Sequence, residues 1–250
     1  MGRTDGARPR LRRHEEHRGQ ERRVVLGPDH PARAEGRTLF PNRRTDPAEA
    51  GRVLKSGMNS VKIGRKVLKG AWAGMPIYTL TLEERATCPP CGHADDCFGN
   101  KMQWAQRMTA GPALEQALAR EVAELSIRHR SGFVVRLHVL GDFYSRAYVA
   151  LWEGLMSSYD QLHVFGYTAH ARDGVIGDCV DRMNSRWRGR WVVRFSEAGG
   201  ELGTLTTDDP EARGRTTDGI VCPAQTGGSD CCSTCALCWG TRDCIVFRRH

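Results

Sequence analysis

The sequence predicts an α/β fold, either a partial (β/α) barrel or an open parallel sheet, with a cysteine-rich carboxyl-terminal segment. Three observations point there. From Met58 onward, strand-like runs alternate with runs of helical period, and repeated strand–helix–strand units pair their strands in parallel. About five or six strands fit into the last ~190 residues, too few for an eight-unit barrel of ~250 residues. Polar residues collect just after the strand-like runs, on the rim where parallel α/β folds place their chemistry.

The elements follow in order. Residues 76–82 (PIYTLTL) alternate as a strand does and lead into the first cysteines. Residues 113–129 bring Leu114, Ala117, Leu118, Val122 and Leu125 to one helical face. Residues 133–140 (FVVRLHVL) form a strand that ends in Gly141, Asp142 and Phe143. Ser145 caps a helix running through Tyr159, with Tyr148, Leu151, Trp152 and Leu155 on one face. Residues 162–168 (LHVFGYT) are the next strand, 173–187 a weaker helix, and 191–195 (WVVRF) a further strand. Residues 200–218 read as a polar loop, 219–221 as a short buried strand before Cys222, and 244–247 as the last strand.

Residues 1–57 contain one aromatic, Phe40, and show neither apolar period, so they read as a disordered basic tail or an upstream over-read. They hold 14 Lys and Arg against 8 Asp and Glu, a net of +6 out of +8 for the chain. Residues 58–250, the expected single α/β domain, are therefore almost neutral, and a nucleic-acid footprint attaches to the tail alone. No apolar run approaches the ~20 residues that cross a bilayer, and no apolar stretch follows the charged amino terminus as in a secretory signal. The expected setting is cytoplasmic, where thiols serve metals or catalysis more often than disulfides.

Eight of the ten cysteines fall into two groups, and a ninth, Cys244, lies close after the second. The first group is CPPCGHADDC, with Cys88, Cys91 and Cys97; two residues between thiols let both sulfurs face one ion or cluster. It is one ligand short of a closed site, so His93 or a distant cysteine completes it, or a position stays open for substrate or cofactor. The second group, in segment 219–250, contains the C-x2-C-x2-C run Cys232, Cys235, Cys238, and Cys222 makes four thiolates. Cys231 or Cys244 could replace one of these. Cys179, alone on a helical stretch, reads as a small core residue. Iron–sulfur ligation, as 4Fe-4S, competes with structural zinc and with a disulfide framework.

On the rim, Asp142 either binds a substrate hydroxyl or amine or caps the next helix. His138 alternates with apolar residues and reads as a satisfied core histidine. Tyr167, Thr168 and His170 resemble a ligand-contact turn, and Glu197 follows the WVVRFS strand.

The blocks CPPCGHADDCFGNKM, RLHVLGDFYSRAYVALWEGLM, LHVFGYTAH, VVRFS and VCPAQTGGSDCCSTCALCW, spread over residues 60–247, resemble the phage and prophage gene product 88 family. That resemblance implies a mobile-element origin and a cytoplasmic protein without an assigned activity. A more distant similarity is to radical S-adenosylmethionine enzymes, which set three cluster cysteines after the first strand of a partial barrel and, in some, a second cluster at the carboxyl end. It implies that Cys88, Cys91 and Cys97 hold a cluster with one open iron for S-adenosylmethionine. It also implies that Gly141 and Asp142 lie at the cofactor, with Asp142, Tyr167 and Glu197 as catalytic candidates. The spacing here is C-x2-C-x5-C, where those enzymes have C-x3-C-x2-C. Two functions are thereby set side by side: an iron–sulfur enzyme acting on a small molecule or nucleic acid, and a zinc-stapled module that binds nucleic acid or protein.

Overall fold

The computed structural model describes residues 24–60, 62–95, 97–209 and 219–248. Its centre is an eight-stranded sheet in the order β2-β3-β5-β6-β7-β8-β10-β9. These are β2 Lys55–Ser56, β3 Ile77–Thr79, β5 Phe133–Arg136, β6 Leu162–Thr168, β7 Trp191–Ser196, β8 Gly203–Thr207, β9 Ile220–Val221 and β10 Ile245–Arg248. Every pairing is parallel except β2 with β3. From β3 to β8 the larger strands are neighbours in chain order, so the sheet is wound in one direction and its crossovers share a face. A small second sheet pairs β1 Arg44–Thr45 with β4 Arg107–Met108.

Three helices fill that face: α1 Pro112–Arg128, α2 Arg146–Ser158 and α3 Val175–Arg186. The apolar spacing of α1 is realised residue for residue, with Leu114, Ala117, Leu118, Val122 and Leu125 all buried. Ser145 caps α2, its hydroxyl accepting the Tyr148 N–H at 3.1 Å. Because strand side chains alternate, one set (Val135, Val164, Val193) meets these helices while the other (Val134, Phe165, Val192, Ile245) faces away. The second face is covered by Trp72 and by the cysteine segment, with Trp239 stacked on Trp72 at 5.6 Å.

Two expectations are corrected. Residues 200–218 are not one loop: 203–207 form β8, between β7 and β10, because a Gly-Thr-Leu-Thr-Thr run carries little apolar signal yet pairs well in a sheet. Residues 24–57, expected in a tail, belong to the fold, whereas 1–23 lie outside the described residues. Val53 and Leu54 are buried, and their N–H groups donate to the Glu121 carboxylate at 2.7 and 2.9 Å. The strand 133–140 is also shorter than expected: regular pairing ends at Arg136, although Leu137 N–H still reaches the Phe165 carbonyl at 2.8 Å.

His138 is a core histidine, as its pattern suggests, but only half satisfied: its buried Nδ1 finds no hydrogen-bond partner among the described residues. It shares a hydrogen bond with the Tyr148 hydroxyl at 3.1 Å, and burial, with the Arg136 charge adding, pushes its pKa down to about 3.

Two outcomes follow from this packing. A chain beginning at Met58 loses Val53, Leu54 and the β2 pairing, and strips Glu121 of both donors. Each apolar side chain contributes about 1.5–3 kcal/mol by burial, against a total stability of about 5–15 kcal/mol. Its thermal transition should fall by ten degrees or more or disappear, whereas an unchanged midpoint would show that 24–57 is dispensable. His138 is neutral in the fold but takes up a proton near pH 6.5 when unfolded, so it costs stability as pH falls from about 6.5 toward 3, at most about 1.4 kcal/mol per pH unit. Urea unfolding of His138→Phe between pH 4 and 8 should show a shallower acid loss than wild type; parallel curves would refute the assignment.

Candidate functional site

The first cysteine loop has almost no regular structure, and three buried polar side chains shape it. After β3 the chain makes a single helical turn, Glu84–Thr87, and Cys88 N–H bonds the Glu84 carbonyl at 2.9 Å. Arg107, on β4 and fully buried, pairs with Glu84 through Nε at 2.8 Å. Its other nitrogens reach the carbonyls of Met102 (3.0 Å), Ala105 (2.8 Å) and Gly99 (3.0 Å). Asn100 donates to the carbonyls of Val24 and Asp95, and Arg85 donates to the Ala94 carbonyl at 3.2 Å. A loop that cannot satisfy its own carbonyls is thus satisfied by inserted donors.

Cys97 heads the short 3-10 turn Phe98–Lys101, its sulfur accepting the Gly99 N–H at 3.3 Å. Burial raises the thiol pKa of both Cys88 and Cys97. At Cys88 the next contributions come from Asp142, Cys97, Cys91 and Glu84, so the three predicted thiols stand within each other's field.

Asp142 lies beside them for a structural reason. Its Oδ1 accepts the Phe143 N–H and its Oδ2 accepts the Ala169 N–H, each at 2.7 Å, which ties the end of β5 to the end of β6. Burial raises its pKa against these bonds and the nearby His170. Ser145, not Asp142, is the helix cap. Gly141 has φ of 82°, and a Cβ there would stand 2.5 Å from Thr87 Oγ1 and 2.6 Å from Leu82 Cβ, so glycine is required by contact with the chain itself. Glu197, at φ 53° after β7, pairs with His93 at 3.1 Å. Burial acts to raise its pKa, but bonds from Thr206 and His93 outweigh it and hold the carboxyl below its usual value. His93 therefore reaches the carboxyl end of β7, and Cys88 lies in the field of Asp142 beyond β5.

Tyr167 does not join that rim. Its side chain leaves β6 on the opposite face from Thr168, and its hydroxyl donates to Cys238 Sγ at 2.8 Å. It belongs to the second group. There, three single turns, α4 Pro223–Thr226, α5 Cys232–Cys235 and α6 Leu237–Gly240, fold the segment onto the sheet. Cys222 N–H bonds the Val246 carbonyl at 2.9 Å, and Cys232 N–H bonds the Lys62 carbonyl at 2.9 Å. Gly64 allows this second approach: its φ is 90°, and a Cβ would stand 2.3 Å from Ser233 Oγ.

Arg194, on β7 and fully buried, grips the segment as Arg107 grips the loop. It donates to the carbonyls of Cys238 and Asp243, both at 2.8 Å, and of Thr241. Arg136 lies 4.7 Å over the Tyr167 ring. Burial disfavours the charges of Lys62, Arg136 and Arg194; opposing it are Cys232, Cys222 and Cys238 at Lys62, Tyr167, Cys232, Cys238 and Asp142 at Arg136, and Cys238, Tyr167, Cys244 and Asp243 at Arg194. Among the described residues, neither Arg136 nor Arg194 has a carboxylate within ion-pair distance.

The four thiols weighed for this group lie within one another's electrostatic reach. Burial raises Cys222, Cys232 and Cys238, with Cys238 acting on the first two and Cys235 acting on Cys238. Cys231 instead caps α5, its sulfur 3.0 Å from Ser233 Oγ, and Cys244 Sγ stands 4.0 Å from the Ala198 carbonyl. Among the described residues, no three His, Cys, Asp or Glu side chains close in on one point as ligands of a single ion do. A cleft of about 620 Å³ opens beside β8 and β10, lined by Glu201, Leu205, Arg242 and Cys244 and by none of the seven clustered cysteines.

Arg107, Arg136, Arg194 and Lys62 escape a reading that looks for ligands. A signal did exist: FVVR (133–136) and WVVR (191–194) each place an arginine at the end of an otherwise apolar strand. No family model, curated protein or solved structure matches the chain, so the resemblance to gene product 88 proteins rests on its motifs. Among the described residues no helix is long and apolar enough to cross a membrane.

Replacing Arg107 with Gln leaves Glu84 buried without its partner and strips three carbonyls of their donor. The cost should be about 3–5 kcal/mol, read by urea unfolding; a loss below about 1 kcal/mol would show that the loop does not depend on this side chain.

Proposed function

We propose that the chain is an iron–sulfur protein on a partial (β/α)-barrel scaffold, with a closed centre at Cys222, Cys232, Cys235 and Cys238 and an open one at Cys88, Cys91 and Cys97. The carrying observation is the cation set around the first of these. A buried guanidinium without a carboxylate at ion-pair distance is costly, and thiols of this set act on both Arg194 (Cys238) and Arg136 (Cys232 and Cys238). Protonated thiols would leave the two guanidinium charges to carbonyl oxygens and to the weaker fields of Asp142 and Asp243. Thiolates answer those charges, and a bound metal is what keeps buried cysteines deprotonated.

The C-x2-C-x2-C spacing supports iron–sulfur over zinc at this centre. The three-thiol set has no fourth thiol among its electrostatic partners, and the His93 ring is engaged by Glu197, which supports an open position there. Clusters so held supply one-electron chemistry, with an open iron able to take a chelating ligand such as S-adenosylmethionine. The one-directional winding of β3 to β8 supports the partial barrel, and the gene product 88 motifs support a cytoplasmic, mobile-element setting.

Anaerobic purification tests the reading. The protein should be brown, absorb broadly near ~400 nm, and carry roughly four iron and four sulfide per cluster. Serine at Cys232, Cys235 or Cys238 should remove one cluster's iron, while serine at Cys231 or Cys244 should not. A colourless protein with stoichiometric zinc would support a metal-stapled binding module, and iron indifferent to these changes would refute the ligand set.

A further inference from the structure

The small β1–β4 sheet joins two segments, 36–45 and 97–114, that hold five Arg and Lys and no Asp or Glu. Three of these cations are answered from elsewhere: Arg107 by Glu84, Arg44 by Glu83 and Arg37 by Glu35. Glu83 is buried while the Arg44 side chain is 43% exposed, so the cation of that pair is the member at the surface. Arg43 and Lys101 enter no ion pair among the described residues.

On this surface Trp104 is 73% exposed, more than any other large apolar side chain among the described residues. Arg43 covers one side of it: the guanidinium lies 4.9 Å from the ring centroid, and its Nε donates to the Gln103 carbonyl at 3.1 Å. The stack holds the indole in place and leaves its other side to solvent. Phe98, six residues earlier in the same segment, repeats the pairing, 41% exposed with Lys62 Nζ 5.6 Å from its ring. Asn42, Gln103 and Gln106, all exposed, add amide donors and acceptors beside these groups in the sequence.

We infer that this face binds single-stranded nucleic acid, with an unpaired base stacked on Trp104 and the adjoining phosphates held by Arg43, Arg44 and Lys101. Every base has a π face, and rings set among basic side chains hold a strand without reading its sequence. A duplex keeps its bases stacked on one another and offers the indole nothing. A protein partner would use the ring equally well, but unanswered cations over exposed rings match a polyanion of planar groups better. No cysteine and no metal takes part, so the inference stands apart from the iron–sulfur reading. Residues 1–23 are basic too, yet they contain no Phe, Tyr or Trp, and stacking therefore tells the two contributions apart.

The test is fluorescence anisotropy of the full-length protein with a labelled DNA strand of roughly 16 nucleotides, its RNA counterpart and the matching DNA duplex. Trp104→Ala should weaken single-strand binding about tenfold, the loss of one stacked base, and leave duplex binding, which charge alone supports, unchanged. Trp104→Phe keeps a ring and should recover most of that loss. Arg43→Gln should weaken the strand and lower the logarithmic salt slope by about 0.7, one phosphate contact. Strand binding unchanged in Trp104→Ala would overturn the inference and leave the indole as a protein contact. A loss shared equally by strand and duplex, or a wild type that binds neither strand at low salt, would overturn it as well. Iron content, measured on the same samples, reports separately on the cluster reading.

Discussion

Arginine side chains buried under irregular backbone are what the arrangement of the cysteines depends on. Segments 88–106 and 222–244 make few backbone bonds of their own, and an unbonded buried carbonyl costs about as much as a lost hydrogen bond. Arg107 serves three carbonyls of the first segment, and Arg194 serves three of the second. Each stands on a strand, so the sheet transmits its rigidity to loops that lack any. The difference between them is in their counter-charge. Arg107 has Glu84, and the first segment is balanced before any metal arrives. Among the described residues Arg194 and Arg136 have no carboxylate at ion-pair distance, only the weaker fields of Asp243 and Asp142, and on the proposed reading thiolates complete the balance of the second segment.

The division of the sheet into two faces carries this further. One face is an ordinary apolar layer under three helices. The other mixes Trp72, Phe165 and Trp239 with Cys222 and Cys238, so the second thiol set is part of a core rather than a surface appendage. The first set, by contrast, spans strand ends through Asp142 and through the His93–Glu197 pair, a place where loop movement leaves the core intact.

The helical faces were legible because burial there follows a period, as in Leu114, Leu118, Val122 and Leu125. The strand β8 was not, since Thr204, Thr206 and Thr207 pair through backbone with little apolar contrast. Residues 24–57 were misread because composition sees charge density, whereas their anchoring rests on a few groups: Val53, Leu54 and the distant Glu121 carboxylate. Local spacing groups the thiols along the chain, and Cys222, Cys232 and Cys238 do act on one another electrostatically. Tyr167 could not be placed by its nearness to Thr168 and His170, because neighbours along a strand point to opposite faces. The arginines were visible as letters but not as roles, since their partners are carbonyls scattered over the chain.

Charge balance at the second thiol set is the claim on which the account turns, and Arg136 offers the most direct measurement. Iron release to a chelator should be followed in wild type, Arg136→Lys and Arg136→Met. With the cation removed, the thiolates lose a compensating charge, and release from the Met variant should quicken about tenfold or more, while the Lys variant stays close to wild type. Equal acceleration in both variants would mean that shape rather than charge matters there, and unchanged release in the Met variant would contradict the account.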